Sequence, residues 1–173
     1  MRNDPRSNRS VNPLFNDGIS PMRNATLNPK TYSAINPHLN PLINPEHRSE
    51  INPAANRELS PLANKSLNPL VNNALDAAKQ AGGQDADAGM HQFSVYDLKL
   101  NNIGTAVEAS DQVWLWFDQD GRWTGFAVKN GIEGLNLFDR DEQWIGFLAP
   151  NGRSGYNLFN LQAEWTGFLC QKP

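Results

Sequence analysis

Five tryptophans, all beyond residue 110, carry the sharpest chemical signal in the chain. Trp123, Trp144 and Trp165 stand 21 residues apart, and each opens a Trp-x-Gly-Phe box. Phe126, Phe147 and Phe168 therefore recur at the same interval. An indole offers a large apolar face and a single N–H donor, which suits it to a core and equally to an apolar ligand. Two uses are open: rings that fill the centre of a domain, and rings that line its mouth or axis and hold an apolar or aromatic group. Both can hold at once, with Trp114 and Trp116 completing the ring. The candidate ligand-binding residues are Trp123, Trp144, Trp165, Trp116, Phe126, Phe147 and Phe168.

Other chemistry is weaker. Asp118-Gln-Asp120-Gly121 opens like a calcium loop and Asp139-Arg-Asp141 repeats the start, but Asn160-Leu-Gln162 loses both carboxylates. The later ligands and the Glu at the twelfth position are missing, so hairpin turns are expected and no metal site is assigned. His91 and Cys170 form a Cys–His pair with no third group and no oxyanion motif, and both are expected to be bystanders. His38 and His47 fall at variable positions of a repeat and are expected in solvent. A single cysteine excludes an intramolecular disulfide and a cysteine zinc cage. No phosphate-cradling glycine loop or nucleophile elbow is present. No catalytic residue and no cofactor are assigned, and an enzyme is not expected.

Charge divides the 173 residues unevenly. Residues 1–74 carry 8 Lys/Arg against 5 Asp/Glu, and residues 75–173 carry 7 against 13. Two parts with different surfaces follow, neither basic enough for a nucleic-acid footprint. No apolar run approaches the roughly 20 residues that span a bilayer as a helix. The first residues, Met-Arg-Asn-Asp-Pro, lack the apolar core of a Sec signal peptide. A cytoplasmic location is expected, with peripheral membrane association and unconventional export left open.

The elements that position the tryptophans come from the 21-residue unit, written four times between Tyr96 and Cys170. The first copy is worn: Asn102 stands for the Trp and Thr105 for the Phe that follows the glycine. In the third copy, Trp144-Ile-Gly-Phe-Leu148 is rich in strand formers, Pro150-Asn151-Gly152 is a turn, and Tyr156-Asn-Leu-Phe159 is a second strand. The Asp-rich stretch after Phe138 makes the other turn. Four units predict about eight short antiparallel strands, and radial or barrel closure removes their edges. Simple alternation puts Trp144, Gly146 and Leu148 on one face and Ile145 and Phe147 on the other. The glycine then leaves room for a neighbouring Trp ring, and one aromatic face stays partly exposed, as at a partner or membrane site.

Tandem units of Phe-Asp-x-x-x-x-Trp-x-Gly-Phe, followed by Asn-Gly and a Tyr/Leu-Asn-Leu strand, resemble the bacterial four-fold β-flower family over about residues 96–170. The resemblance implies a shallow, symmetric β-barrel with an apolar centre. It implies no established activity, and it does not reach the N-terminal part. The first copy lacks the box, and Asn160 stands for the Asp in the last.

That N-terminal part is a second repeat. Prolines stand at 5, 13, 21, 29, 37, 45, 53, 61 and 69, each after Asn, Asp or Ser. From Val11 onward an aliphatic residue comes one place earlier, and Asn usually stands three places after the Pro, with Tyr32 and Arg48 as exceptions. The unit is aliphatic-Asn-Pro-x-x-Asn-x-x. A proline every eight residues excludes a helix, and Asn-Pro starts a turn. One aliphatic yields about 1.5–3 kcal/mol on burial, whereas ordering eight residues costs on the order of 8–16 kcal/mol. An isolated octad is therefore unstable. The segment is expected as a flexible, multivalent array of turns or as a thin stacked solenoid. Residues 75–92 read as a linker, with a short helical turn capped by Asp76.

The expected architecture is mainly β: an octad segment at 1–74, the linker, and a four-fold β-hairpin barrel at 93–173. The expected function is a non-catalytic binding module. Its Trp-lined barrel recognises an apolar or lipid-like ligand or a membrane surface, and its octads act as a multivalent arm for a protein partner. The alternative is a structural protein whose octads stack or polymerise.

Overall fold

Six of the seven hairpin turns of the C-terminal half begin with a side chain that bonds its own backbone. At one end Asp97, Asp118, Asp139 and Asn160, each 21 residues from the next, accept two backbone N–H groups apiece through Oδ1. Asn160 does the same work as the aspartates, so the position needs an acceptor and not a charge. At the other end Asn130 and Asn151 do likewise. Such Asx turns cap strands whose interiors are β-branched and aromatic.

The computed structural model describes residues 4–71 and 91–172. Eight strands follow in order: β1 Gln92–Asp97, β2 Asn102–Glu108, β3 Val113–Phe117, β4 Trp123–Lys129, β5 Leu135–Asp139, β6 Trp144–Pro150, β7 Gly155–Asn160 and β8 Trp165–Gln171. Each pairs antiparallel with its neighbours and β1 pairs with β8, which closes the barrel and leaves no free sheet edge. Closure also completes the repeat. The ring of Tyr96, from the first copy, stacks on Phe168 of the last with centroids 5.4 Å apart, as Phe138 stacks on Phe126.

Side chains from all eight strands meet in the lumen. The proof is Trp114 on β3 against Tyr156 on β7, 5.1 Å apart although their strands are separated by half the barrel. Two layers fill the interior. One holds Phe93, Trp114, Leu135 and Tyr156 beside Ala106, Ala127, Leu148 and Leu169. The other holds Val95, Trp116, Leu137 and Leu158, each paired across its hairpin with Gly104, Gly125, Gly146 or Gly167.

Here the structure corrects the alternation. Each of the four hairpins closed at Asp97, Asp118, Asp139 and Asn160 carries a β-bulge between the inward residue and the aromatic that follows it, as between Leu137 and Phe138. Ile145 is the extra residue opposite that step and is 47 % exposed. A one-residue slip moves everything before it to the other face. Gly146 and Leu148 point inward, but Trp144 points outward with Phe147. The glycine also has a different reason from the expected gap for an indole. A Cβ on Gly146 would sit 2.6 Å from the backbone carbonyl oxygen of Phe159, and the other three glycines face Phe117, Phe138 and Tyr96 in the same way.

The octads form a belt on the outer wall. Each is two successive turns. In the seventh, Ala55 and Asn56 donate to the Asn52 carbonyl, and Leu59 and Ser60 donate to that of Asn56. Oδ1 of Asn52 and of Asn56 each accept the N–H two residues on. The Asn three places after Pro also reaches back to a carbonyl six residues earlier, as Asn16 does to Ser10 and Asn40 to Ala34. Of the two exceptions to the pattern, Arg48 fills the bond by donating to Leu42, and next to Tyr32 the Thr31 hydroxyl donates to the neighbouring carbonyl of Ala25.

All nine repeat prolines are buried, as are Val11, Ile35, Ile43, Ile51, Leu59 and Leu67. Ile51, Leu59 and Leu67 share one apolar cluster with Leu115, Phe117, Trp123 and Phe126 of the barrel. The expected units 1–74 and 93–173 therefore share a core. Neither a free array of turns nor a self-stacked solenoid contains this contact, which supplies the apolar burial that an octad lacks alone. The expected linker lies outside the described residues up to 90, and Gln92 already belongs to β1.

Belt and barrel are in register. Asn157 Nδ2 donates to the Val11 carbonyl at 3.0 Å and Asn136 Nδ2 to the Ile35 carbonyl at 2.9 Å. The donors stand one 21-residue unit apart, and the acceptors stand three octads apart. One further step in each repeat reaches Leu115 and Leu59, which pack in one cluster. Three octads thus cover one barrel unit, running against the strand order.

Candidate functional site

The expected Trp ring is not assembled. Trp123 and Trp144 stand on the outer wall, where their Nε1 groups donate to the carbonyls of Gly125 at 2.6 Å and Gly146 at 2.9 Å. Each is covered: the Arg140 guanidinium lies 4.6 Å over the Trp123 ring, and His38 of the belt meets Trp144 edge-on. Phe126 and Phe147 are sealed beneath neighbouring side chains, and Phe168 is buried except where it borders a cleft at the start of the belt. Trp165 is partly exposed, and its Nε1 has no partner among the described residues. Of the seven candidates only Trp116 faces the lumen. Trp114 also lies inside, stacked on Phe93 at 4.6 Å.

The glycine layer shapes the lumen end beside the Asp turns. Four glycines supply no side chain there, and Trp116 and Leu158 in the same layer are partly exposed. The opposite end is lined in part by Tyr156, whose hydroxyl pKa is raised by burial and further by Glu108 and Glu133.

The weaker chemistry resolves into structure. His91 Nδ1 lies 3.0 Å from Gln171 Nε2 and not against Cys170. Burial pushes the Cys170 thiol up, away from the thiolate that a nucleophile needs. The Asp118 and Asp139 carboxylates accept backbone N–H groups of their own turns. No group of His, Cys, Asp and Glu is placed to hold a metal ion among the described residues. No helix among them is long and apolar enough to cross a membrane.

The most exposed apolar side chains lie on the belt instead. With the aliphatic-Asn-Pro triad turned inward, the next positions become turn apices that face solvent. Leu14, Phe15 and Met22 are 59 %, 57 % and 71 % exposed, and Leu39, Leu42, Leu62 and Leu70 also protrude. Around the first three, Arg9 lies 5.0 Å over the Phe15 ring, Arg23 pairs with Asp17, and Lys30 follows one octad later. The pattern was present in the sequence as apolar residues just after Pro, but only the inward orientation of the triad gives it meaning.

Comparison with protein-family models, with curated proteins and with solved structures finds no significant match for this chain.

Proposed function

We propose that the protein is a non-catalytic binding module that docks on an anionic lipid surface through the first octads of its belt. The observation that carries this reading is the exposure of Leu14, Phe15 and Met22 among Arg9, Arg23 and Lys30, with Asp17 as the one acidic residue between 9 and 30. Apolar apices insert between headgroups, while guanidinium and ammonium groups meet lipid phosphates. The candidates beneath the belt, Trp123, Trp144, Phe126 and Phe147, brace the surface rather than touch the lipid. The partly exposed Trp116 and Trp165 remain open to a small apolar group. The closed four-fold barrel with its Trp-x-Gly-Phe boxes supports kinship with the β-flower family. A closed sheet has no edge to extend, which speaks against assembly by strand addition.

The test is flotation of the full chain with vesicles of phosphatidylserine and phosphatidylcholine, against phosphatidylcholine alone. Full burial of a Leu, Phe or Met yields roughly 1.5–3 kcal/mol. Even half of that from three side chains changes partitioning by more than about tenfold. The variant Leu14→Ser/Phe15→Ser/Met22→Ser is expected to stay in solution while keeping the wild-type melting curve. A variant that floats as wild type does overturns the proposal.

A further inference from the structure

The belt leaves a gap at its start. Between the first two octads, the loop that joins β6 to β7 and the end of β8 lies a cleft of about 260 Å³. Its floor is apolar, made by Val11, Phe168 and Cys170, and its rim carries Asn8, Arg153 and Ser154. The repeat explains the gap. Aliphatics begin at Val11, and eight residues earlier the sequence has Asn3, so the pattern offers no aliphatic ahead of Val11. The barrel side shows the consequence. Val107, Val128 and Ala149, the counterparts of Cys170 at 21-residue steps, are sealed, whereas Cys170 is half-buried.

The cleft has a definite chemistry. It is smaller than the roughly 300–1,000 Å³ of pockets for drug-sized ligands, which selects a small molecule. Arg153 is its one charged residue, and no Asp or Glu lines it. Among the described residues Arg153 makes no ion pair, while three of the other arginines do so at close range. A guanidinium presents a planar fork of donors that fits a carboxylate with two bonds. The Ser154 hydroxyl stands beside it on the same loop, and the apolar floor begins behind both.

We propose that this cleft is a binding site for a short-chain aliphatic carboxylate. The head is held at Arg153 and Ser154, and the tail lies over Val11, Phe168 and Cys170, in the space that an octad aliphatic fills elsewhere on the wall. The site needs no membrane and is independent of the lipid-docking reading.

Cys170 is the only cysteine of the chain and lies in the cleft, so its labelling reports occupancy. The full-length protein is labelled with a disulfide reagent at mildly alkaline pH in the presence of hexanoate, hexanol, acetate or inorganic phosphate. Calorimetry of hexanoate binding reads the same affinity without the thiol. Hexanoate is expected to slow labelling saturably in the millimolar range. Hexanol, which lacks the head, and acetate and phosphate, which lack the tail, are expected to protect at least roughly tenfold less well. Arg153 is exposed, so Arg153→Gln should fold normally and weaken hexanoate binding by at least about tenfold, with Arg153→Lys between the two. Equal affinity in Arg153→Gln and wild type overturns the role of the head. Phosphate protecting as well as hexanoate overturns the role of the tail, and no heat and no protection at millimolar hexanoate overturns the site.

Discussion

Replacing Ile51 by alanine tests whether the belt is part of the core or a covering laid upon it. Ile51 is 1 % exposed and belongs to one cluster with Phe117, Trp123 and Phe126 of the barrel. Truncating a sealed Ile removes its transfer energy and leaves a cavity, at a cost of roughly 2–5 kcal/mol. For a chain of this length 1 kcal/mol moves the melting temperature by about 2–4 °C, so a loss near 3 kcal/mol lowers it by about 6–12 °C. The assay has a built-in selectivity. All five tryptophans lie in the barrel and none in the octads, so Trp emission follows the barrel alone. The expected outcome is a single transition, shifted down by that amount, for a substitution more than 60 residues from the nearest tryptophan in sequence. Leu42→Ala, at a turn apex that is 66 % exposed, should change stability by less than about 0.5 kcal/mol. An unchanged Trp transition in Ile51→Ala, with a separate earlier loss of backbone signal, would show that belt and barrel unfold independently and refute the shared core.

Two further predictions probe the barrel. Gly146→Ala should destabilise by about 3 kcal/mol or more, because its Cβ meets the Phe159 carbonyl at 2.6 Å and backbone must yield. Gly131→Asn should cost less than about 1 kcal/mol, because Gly131 has φ +90° with open space around it and Asn tolerates the left-handed region; urea denaturation of both variants checks the contrast. The Asp97 carboxyl is held below its ordinary range by the Asn101 side chain first, then by the backbone N–H groups of Asn101 and Lys99. A lowered folded-state pKa gives stability that is present above the unfolded carboxylate pKa and lost as pH falls through the folded value. Stability of the wild type should therefore decline on acidification through and below the ordinary Asp range. Asp97→Asn should flatten part of that decline, and an identical profile in the variant would remove Asp97 from the account.

Much of the fold is legible in the chain because its signals are local. The turns at Asp118, Asp139 and Asn160 need an acceptor that bonds the next N–H groups, and the sequence shows one every 21 residues. The Asn-Pro steps likewise encode turns within four residues. Alternation misplaces the faces of the tryptophans because it assumes an unbroken ladder. Ile145 is a strand former like its neighbours, and nothing in its identity marks it as the extra residue of a bulge. Of the indoles expected at the axis, only Trp114 and Trp116 lie there, at positions of the 21-residue unit outside the Trp-x-Gly-Phe box, whereas Trp123 and Trp144 stand on the outer wall.

The sequence by itself determined two periods, the turns that punctuate them and the number of strands. These depend on bonds between residues a few places apart, so residue types are enough to specify them. Only the tertiary structure decided what the octads are for. Asn157 reaches Val11 across 146 positions, and Asn136 reaches Ile35 across 101. Those bonds require that three octads span the arc of one barrel unit. That arc depends on strand number, pairing and the radius at which the belt lies, and none of these is a property of either repeat alone. The same geometry turns Leu14, Phe15 and Met22 outward, buries the prolines, and opens the cleft at Cys170 where the aliphatic series begins.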